Sequence, residues 1–315
     1  MLSPRCPVAI EETLGLLLNS AILGLASGTI YGVIALGFVL LYRVGKIVNI
    51  AVGDMVLIGA YLILFFSELG LVADPFINLL VGLGLALIAT IILALLTERF
   101  LIRPLYGQSI LSLIKMTVAL ALILRGVTIV RWGTALKIFP GQHEVSPPVP
   151  LEIGFIKLPL VMVWSIAGAA VVFGFFLYIF RRTLFGFAMR AVSLEPEAAA
   201  THGISIRKIY KYSWIIANMA AVLGGLIMGV INGLTVNISV IGLTRALPAA
   251  LIGGIDSPGG AILGGILLGL IEHSVGTYLN PFIPGIREIM PFIILLIVLV
   301  FRPYGLFGTV RIERV

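Results

Sequence analysis

Apolar and polar positions along this chain fall into long blocks rather than at the period of an amphipathic helix or strand. Runs of about 20 apolar residues, the length that crosses a hydrocarbon core as a helix, occupy Leu14 to Leu41, Ile47 to Phe66, Pro75 to Leu96, Leu111 to Trp132, Leu158 to Phe180 and Tyr212 to Ile231. A further stretch, Arg245 to His273, is apolar at both ends and interrupted by Gly253-Gly254-Ile255-Asp256-Ser257-Pro258-Gly259-Gly260, and a last block runs from Met290 to Phe301. The pattern predicts an all-α integral membrane protein, a polytopic helical bundle of about eight spans. Two glycine pairs around Asp-Ser-Pro interrupt any continuous helix. Each half of that stretch is short for a span, so a broken or re-entrant helix shielded by protein is expected there.

The polar connections set the orientation. Arg43, Lys46, Arg99, Arg103, Arg207, Lys208 and Lys211 lie in alternate connections, whereas Glu68 and Asp74 make the one between the second and third blocks acidic. Basic connections face the cytosol. The polar island from about 181 to 211 is then cytosolic, and the N-terminus is outside. The Pro-rich connection from about 133 to 157, with Pro140, Pro147, Pro148 and Pro150 and no hydrophobic period, is an external loop. The basic C-terminus returns to the cytosol.

Composition agrees with this picture and removes several functions from it. Of 315 residues, 60% are hydrophobic and 11% charged, against roughly 25% charged in a typical soluble domain, and the mean hydropathy is +1.17. Residues 1–315 therefore read as a single transmembrane domain. The net charge of +7 resides in the short connections, which speaks for topology and against a nucleic-acid partner. The single cysteine, Cys6, excludes an intrachain disulfide and a cysteine metal cluster. No secretory signal is expected, because Glu11 and Glu12 interrupt the N-terminal apolar run. Gly45-Lys46 is followed by Ile47 and lacks the upstream glycine of a phosphate-binding loop, so the chain is not itself an ATPase. No nucleophile stands with a base, and neither enzymatic activity nor a resident cofactor is expected.

Several residues stand out against the apolar background. Gly24, Gly28 and Gly32 recur at intervals of four, as do Gly225, Gly229 and Gly233, and each set predicts a helix-packing face. Asn49, Gly53 and Asp54 open the second block, Arg125 lies inside the fourth, and Gly254 and Asp256 lie in the broken stretch; these are the candidates for a solute pathway. A helix continuous from Lys46 would set Asp54 about 12 Å further along the axis. There it either meets the ammonium of a zwitterion or serves as a capping or packing carboxylate. Arg125 must snorkel, pair or line a polar cavity, and Asp256 either shapes the break or helps line the route. Glu272 and His273 are adjacent, point about 100° apart on a helix and read as an interfacial pair. His143 and His202 are too isolated for a metal site.

Within the island, Glu195-Pro196-Glu197-Ala198-Ala199-Ala200-Thr201-His202-Gly203 predicts a two-turn helix. Pro196 suits its first turn, Glu195 and Glu197 its positive end, Gly203 a left-handed stop, and Ser205 the cap of the next helix. Glu197-Ala198-Ala199 with Gly203 resembles the E-A-A loop of bacterial ABC-importer permeases. Further stretches resemble the Liv-type branched-chain amino acid permeases, in particular the LivH-like subunit. They are Asn49 to Asp54 with Gly59-Ala60-Tyr61, Leu124-Arg125-Gly126 with Trp132-Gly133, Gly253-Gly254-Ile255 through Gly264-Gly265, and Pro303 to Gly308. Ile50 and Val52 stand where that family usually has Phe and often His.

The resemblance implies a type II ABC-importer-like permease in a bacterial plasma (inner) membrane, multi-pass and surrounded by lipid. Glu195, Glu197, Ala198, Ala199 and Gly203 would couple it to two ATP-binding cassette subunits, which bind the ATP and magnesium. A second related permease (LivM-like) and a periplasmic or lipid-tethered solute-binding protein would complete the importer, with branched-chain or aliphatic amino acids as solutes. A stand-alone secondary transporter or channel for a small polar solute such as urea or an amide is the alternative, and a structural membrane scaffold without flux a third.

Overall fold

The computed structural model describes residues 6–46, 48–140, 142, 150–153 and 156–309. Eleven α-helices are found among them: α1 (Cys6–Gly45), α2 (Val52–Glu68), α3 (Pro75–Leu96), α4 (Ile110–Trp132), α5 (Leu160–Arg182), α6 (Leu184–Leu194), α7 (Pro196–Thr201), α8 (Ile206–Asn232), α9 (Asn237–Gly253), α10 (Pro258–Leu279) and α11 (Ile286–Phe301). Starts are written in the sequence. Pro75 and Pro258 open α3 and α10, where a missing N–H is no loss. Asp74 accepts from the N–H of Ile77 at 2.9 Å, Ser109 from Ser112 at 3.4 Å and Ser257 from Gly260 at 3.1 Å.

Helices α1, α2, α8, α9 and α10 form the centre of the bundle; α3, α4, α5 and α11 pack around them. The outer helices expose large apolar side chains such as Ile88, Leu122, Val171 and Leu296, the surface that a hydrocarbon solvent requires. At the centre the helices meet backbone to backbone. A Cβ on Gly24 would stand 2.8 Å from the carbonyl oxygen of Gly269, and one on Gly28 2.7 Å from that of Gly265. A Cβ on Gly32 would meet Ile262 and Phe173. Gly225 of α8 lies against α2 in the same way, at 2.6 Å from the Val56 oxygen. Gly229 faces Phe139 and Leu234. Gly233 differs from the expected face: α8 ends at Asn232, and Gly233, at φ +71°, turns the chain.

The two ends of the bundle differ chemically. At one, the connection after α4 is pinned to the connection after α8 by reciprocal backbone bonds between Lys137 and Leu234 at 3.0 and 2.7 Å, and Gln142 donates to the Val230 carbonyl at 2.7 Å. At the other, basic end, Lys46 reaches Ser193 at 3.4 Å, and buried Glu98 holds Arg103 at 2.8 Å. Here a π-helical turn, Thr97–Ile102, and a short 3₁₀ turn, Arg103–Leu105, end α3.

The Arg245–His273 stretch is interrupted at 254–257, as expected, and the N–H groups of Leu306 and Phe307 meet the carbonyls that the interruption frees; the break is a turn at the basic end. Helix α9 starts at Asn237, runs 17 residues, about 25 Å, to the basic end, and α10 returns over 22 residues. Hydropathy placed the start of α9 too late because Ser239 is polar but enclosed by protein. Six helices among the described residues are long and apolar enough to cross a membrane, while α2, α9 and α11 are shorter, at 17, 17 and 16 residues. The expected count of about eight is not confirmed. Lastly, the connection read as an irregular loop contains an antiparallel hairpin, β1 (Pro150–Ile153) with β2 (Ile156–Pro159), pairing Leu151 with Leu158 and Glu152 with Lys157 in register. Four-residue strands bounded by prolines are too short for a period of two to show.

The glycine contacts generate a test. Gly28→Val should lower the unfolding temperature of the purified protein markedly, because the new side chain meets backbone that cannot rotate away; overpacking of this kind costs about 1–3 kcal/mol or more. Gly174→Ala, which meets nothing within 4 Å, should leave that temperature unchanged or raise it slightly.

Candidate functional site

The sequence-derived candidates divide between several places. At the basic end, α6 and α7 form a helical projection between α5 and α8. Glu195 occupies the N-cap position of α7, without a capping bond from its side chain, and Glu197 lies in the first turn. The end of α7 is closed by the N–H of Gly203 on the Ala200 carbonyl and that of Ile204 on the Ala199 carbonyl, both at 3.0 Å, with Gly203 at φ +80°. That crossed pair of bonds needs a left-handed residue at Gly203. Ser205 holds the N-cap position of α8 without a side-chain capping bond, unlike the expected cap.

Ala199 faces inward and is buried, Ala198 is half-buried, and Glu195 and Glu197 are exposed. Leu184, Phe187 and Leu194 of α6 are exposed beside them. The projection is tied to the bundle by Arg190, which donates to the Phe180 carbonyl, and by the Lys46–Ser193 bond. Next to it, Glu98 accepts from Tyr106 at 3.2 Å. Burial, then the Glu98 carboxylate, pushes the Tyr106 phenol upward, so it stays a donor.

Asn49, Gly53 and Asp54 lie where the chain re-enters the bundle. Val48 and Asn49 are not helical; α2 begins at Val52, so Asp54 is in its first turn rather than two turns in. Asn49 is buried, its Oδ1 accepts from the Ala51 N–H at 3.0 Å, and it borders a small cavity of about 30 Å³ with Tyr106, Tyr210 and Trp214. Gly53 is pressed against the backbone of Ser239 on α9. Asp54, 3% exposed, receives both Nε and Nη2 of Arg125 at 2.9 and 3.2 Å. Two candidates 71 positions apart are thereby joined in one bidentate pair. Trp132 packs on Tyr61 with ring centroids 5.4 Å apart.

Gly254 and Asp256 belong to a different place, the turn between α9 and α10 at the basic end. Gly254, at φ +104°, touches the C-terminal segment near Gly308. The N–H groups of Leu306 and Phe307 bond the carbonyls of Ile252 and Gly253 at 2.8 and 3.1 Å. The Pro303 to Gly308 motif thus satisfies the last carbonyls of α9, which a helix end leaves unpaired. Asp256 accepts from the Thr309 N–H and hydroxyl and borders a cavity of about 290 Å³ with Tyr42, Lys46 and Tyr304.

Glu272 and His273 are not interfacial: both are buried, Glu272 to 1% exposure. Its Oε1 lies 3.5 Å from Nε of both Arg245 and Arg287. His273 meets Ser27 at 3.3 Å and Arg287 at 2.5 Å. Arg245, Glu272 and Arg287 stand in the sequence at separations that carry no period to join them. His202 caps the end of α7, and His143 lies outside the described residues.

A family model described as branched-chain amino acid transport system / permease component matches residues 20–299. The chain is 29% identical over 315 residues to the high-affinity branched-chain amino acid transport system permease protein BraD of Pseudomonas aeruginosa, covering 95% of this chain and 98% of that protein. It is 26% identical over 301 residues to LivH of Escherichia coli, named in the same terms, covering 93% and 96%. It is also similar, at 27% identity over 267 residues and 78% of each chain, to the nucleoside ABC transporter permease protein NupC of Lactococcus lactis. The family match runs from α1 into α11 and takes in the residues described above except the C-terminal segment beyond residue 299, so the chain belongs to the branched-chain amino acid transport permease family, as a LivH-like member.

Proposed function

We propose that the chain is the membrane-spanning subunit of an ATP-driven importer for branched-chain aliphatic amino acids, in a bacterial inner membrane. Catalysis of ATP hydrolysis belongs to two ATP-binding cassette subunits. A second, related permease and a solute-binding protein complete the machine. The observation that carries this reading is the projection at the basic end: a short helix, stopped at Gly203, presents Glu195 and Glu197 beside exposed Leu184, Phe187 and Leu194. Such a mixed surface suits a protein groove better than water or lipid.

Force applied to this projection reaches the centre of the bundle through Arg190 and Lys46 and through α8, which packs on α1 and α2. Closely packed backbones at the glycine contacts move as rigid bodies rather than deform. The Asp54–Arg125 pair acts as a strut between α2 and α4. Both carboxylate oxygens are already taken by Arg125, so Asp54 has little left for a solute ammonium. Asn49 closes the turn into α2, and Asp256 holds the C-terminal segment. The similarity to a nucleoside permease makes a nucleoside, beside urea, the solute against which leucine has to be compared.

Glu197→Lys and Gly203→Pro should each reduce co-purification of the ATP-binding subunits and uptake of labelled leucine, with permease abundance in the membrane unchanged. Unaltered assembly and uptake in both variants would refute the coupling role. A wild-type complex that carries uridine or urea but no leucine would refute the solute. For the strut, Asp54→Asn and Arg125→Met alone should each destabilise the protein by about 3–5 kcal/mol, because each leaves a charge unpaired. The double variant should recover both unfolding temperature and leucine uptake. Recovery of stability without uptake would return Asp54 to the pathway.

A further inference from the structure

A cavity of about 260 Å³ lies among α1, α8, α9, α10 and α11. Glu272, which borders it, is about 20 Å along α10 from the basic end. Its polar lining is made by Arg245 of α9, Glu272 of α10, Arg287 and Glu288 of α11 and the hydroxyl-bearing Ser27 and Tyr31 of α1. Ile30, Met228, Ile231, Asn232 and Ile241 complete the lining. Charged and apolar side chains thus border one small volume, as in sites for small amphiphilic ligands.

The hydrogen bonding of the polar lining is incomplete. Glu272 is 1% exposed and spends Oε1 on both guanidinium groups at 3.5 Å, while its Oε2 makes no hydrogen bond of normal geometry, the Tyr31 hydroxyl being a weaker neighbour of the carboxylate. Nε of Arg245 also lacks a hydrogen bond of normal geometry. A buried carboxylate oxygen left unpaired is costly, and among apolar helices an ionisable group in that condition points to a ligand. Arg287 is steadied from behind by Nε2 of His273 at 2.5 Å. The lining carries two guanidinium groups and the two carboxylates of Glu272 and Glu288, so it is balanced in charge. An ion of either sign would upset that balance, whereas a zwitterion preserves it and brings one group for each unmade bond.

We propose that this cavity is a solute site that takes an α-amino acid as its zwitterion. The ammonium donates to Oε2 of Glu272, the carboxylate accepts from Arg245 and Arg287, and an aliphatic side chain rests on Met228, Ile231 and Ile241. Neutral solutes such as urea or a nucleoside leave both charged groups unmet and are rejected. The assignment rests on the importer reading above and extends it by locating the selectivity within the permease.

The test uses the assembled importer in proteoliposomes with its binding protein, reading uptake of labelled leucine, alanine and uridine per assembled complex. Glu272→Gln and Arg245→Gln should each lower leucine uptake about tenfold or more, the worth of a hydrogen bond to a charged group. Ile241→Trp, which adds bulk to the apolar lining and leaves every charge in place, should lower leucine uptake at least fivefold more than alanine uptake. Wild-type leucine uptake in all three variants would overturn the site. So would losses that only follow a falling amount of assembled complex with the leucine-to-alanine ratio unmoved. If the wild-type complex carries uridine and no leucine, the importer reading itself fails, which is a separate result visible before any variant is made.

Discussion

Contact between the backbones of α1 and α10 is the constraint on which the rest of this bundle depends. Inside a bilayer there is no hydrophobic gain when one apolar helix meets another, so association rests on van der Waals packing and on polar groups that find each other. Gly24 and Gly28 on one helix, and Gly265 and Gly269 on the other, bring the two backbones into direct contact. Gly225 against α2, and Gly53 against α9, repeat the device at the next two contacts. The central helices therefore form a rigid block around which α3, α4, α5 and α11 are arranged. Motion of one of its members must be carried by its neighbours.

Charge is the second organiser. A chain with so few ionisable residues uses several of them in pairs that link separate elements: Asp54 with Arg125, Glu98 with Arg103, and Glu272 with Arg245 and Arg287. The first is closed, both oxygens being occupied, and holds two helices together. The second anchors the end of α3. The third remains open on one oxygen and faces a cavity, and that difference in satisfaction separates a strut from a site. In an interior where every unmet bond is expensive, the state of each lone pair carries more information than the identity of the residue.

The ends of the helices tie these parts to the surface. The C-terminal motif, an unexplained resemblance in the sequence, covers the carbonyls at the end of α9. The projection of α6 and α7 is fastened to the same end by Arg190 and Lys46. Regulation or coupling that acts at the basic end thus meets α5, α8, α9 and the C-terminal segment together rather than one helix alone.

The sequence by itself determined the membrane setting, the helical class, the family and the short helix ended by Gly203, because each is local: a run length, a composition, a cap or a contiguous motif. Its reading failed where polar residues are enclosed. Asn237 to Thr244 was left out of a helix that begins there, because hydropathy judges a side chain against lipid and not against its neighbours. Only the tertiary structure decided that Asp54 meets Arg125, that Gly233 ends a helix instead of packing one, and that Glu272 is buried between two arginines. Those are relations between residues far apart in sequence, and a one-dimensional pattern holds no term for the distance between them once the chain has folded.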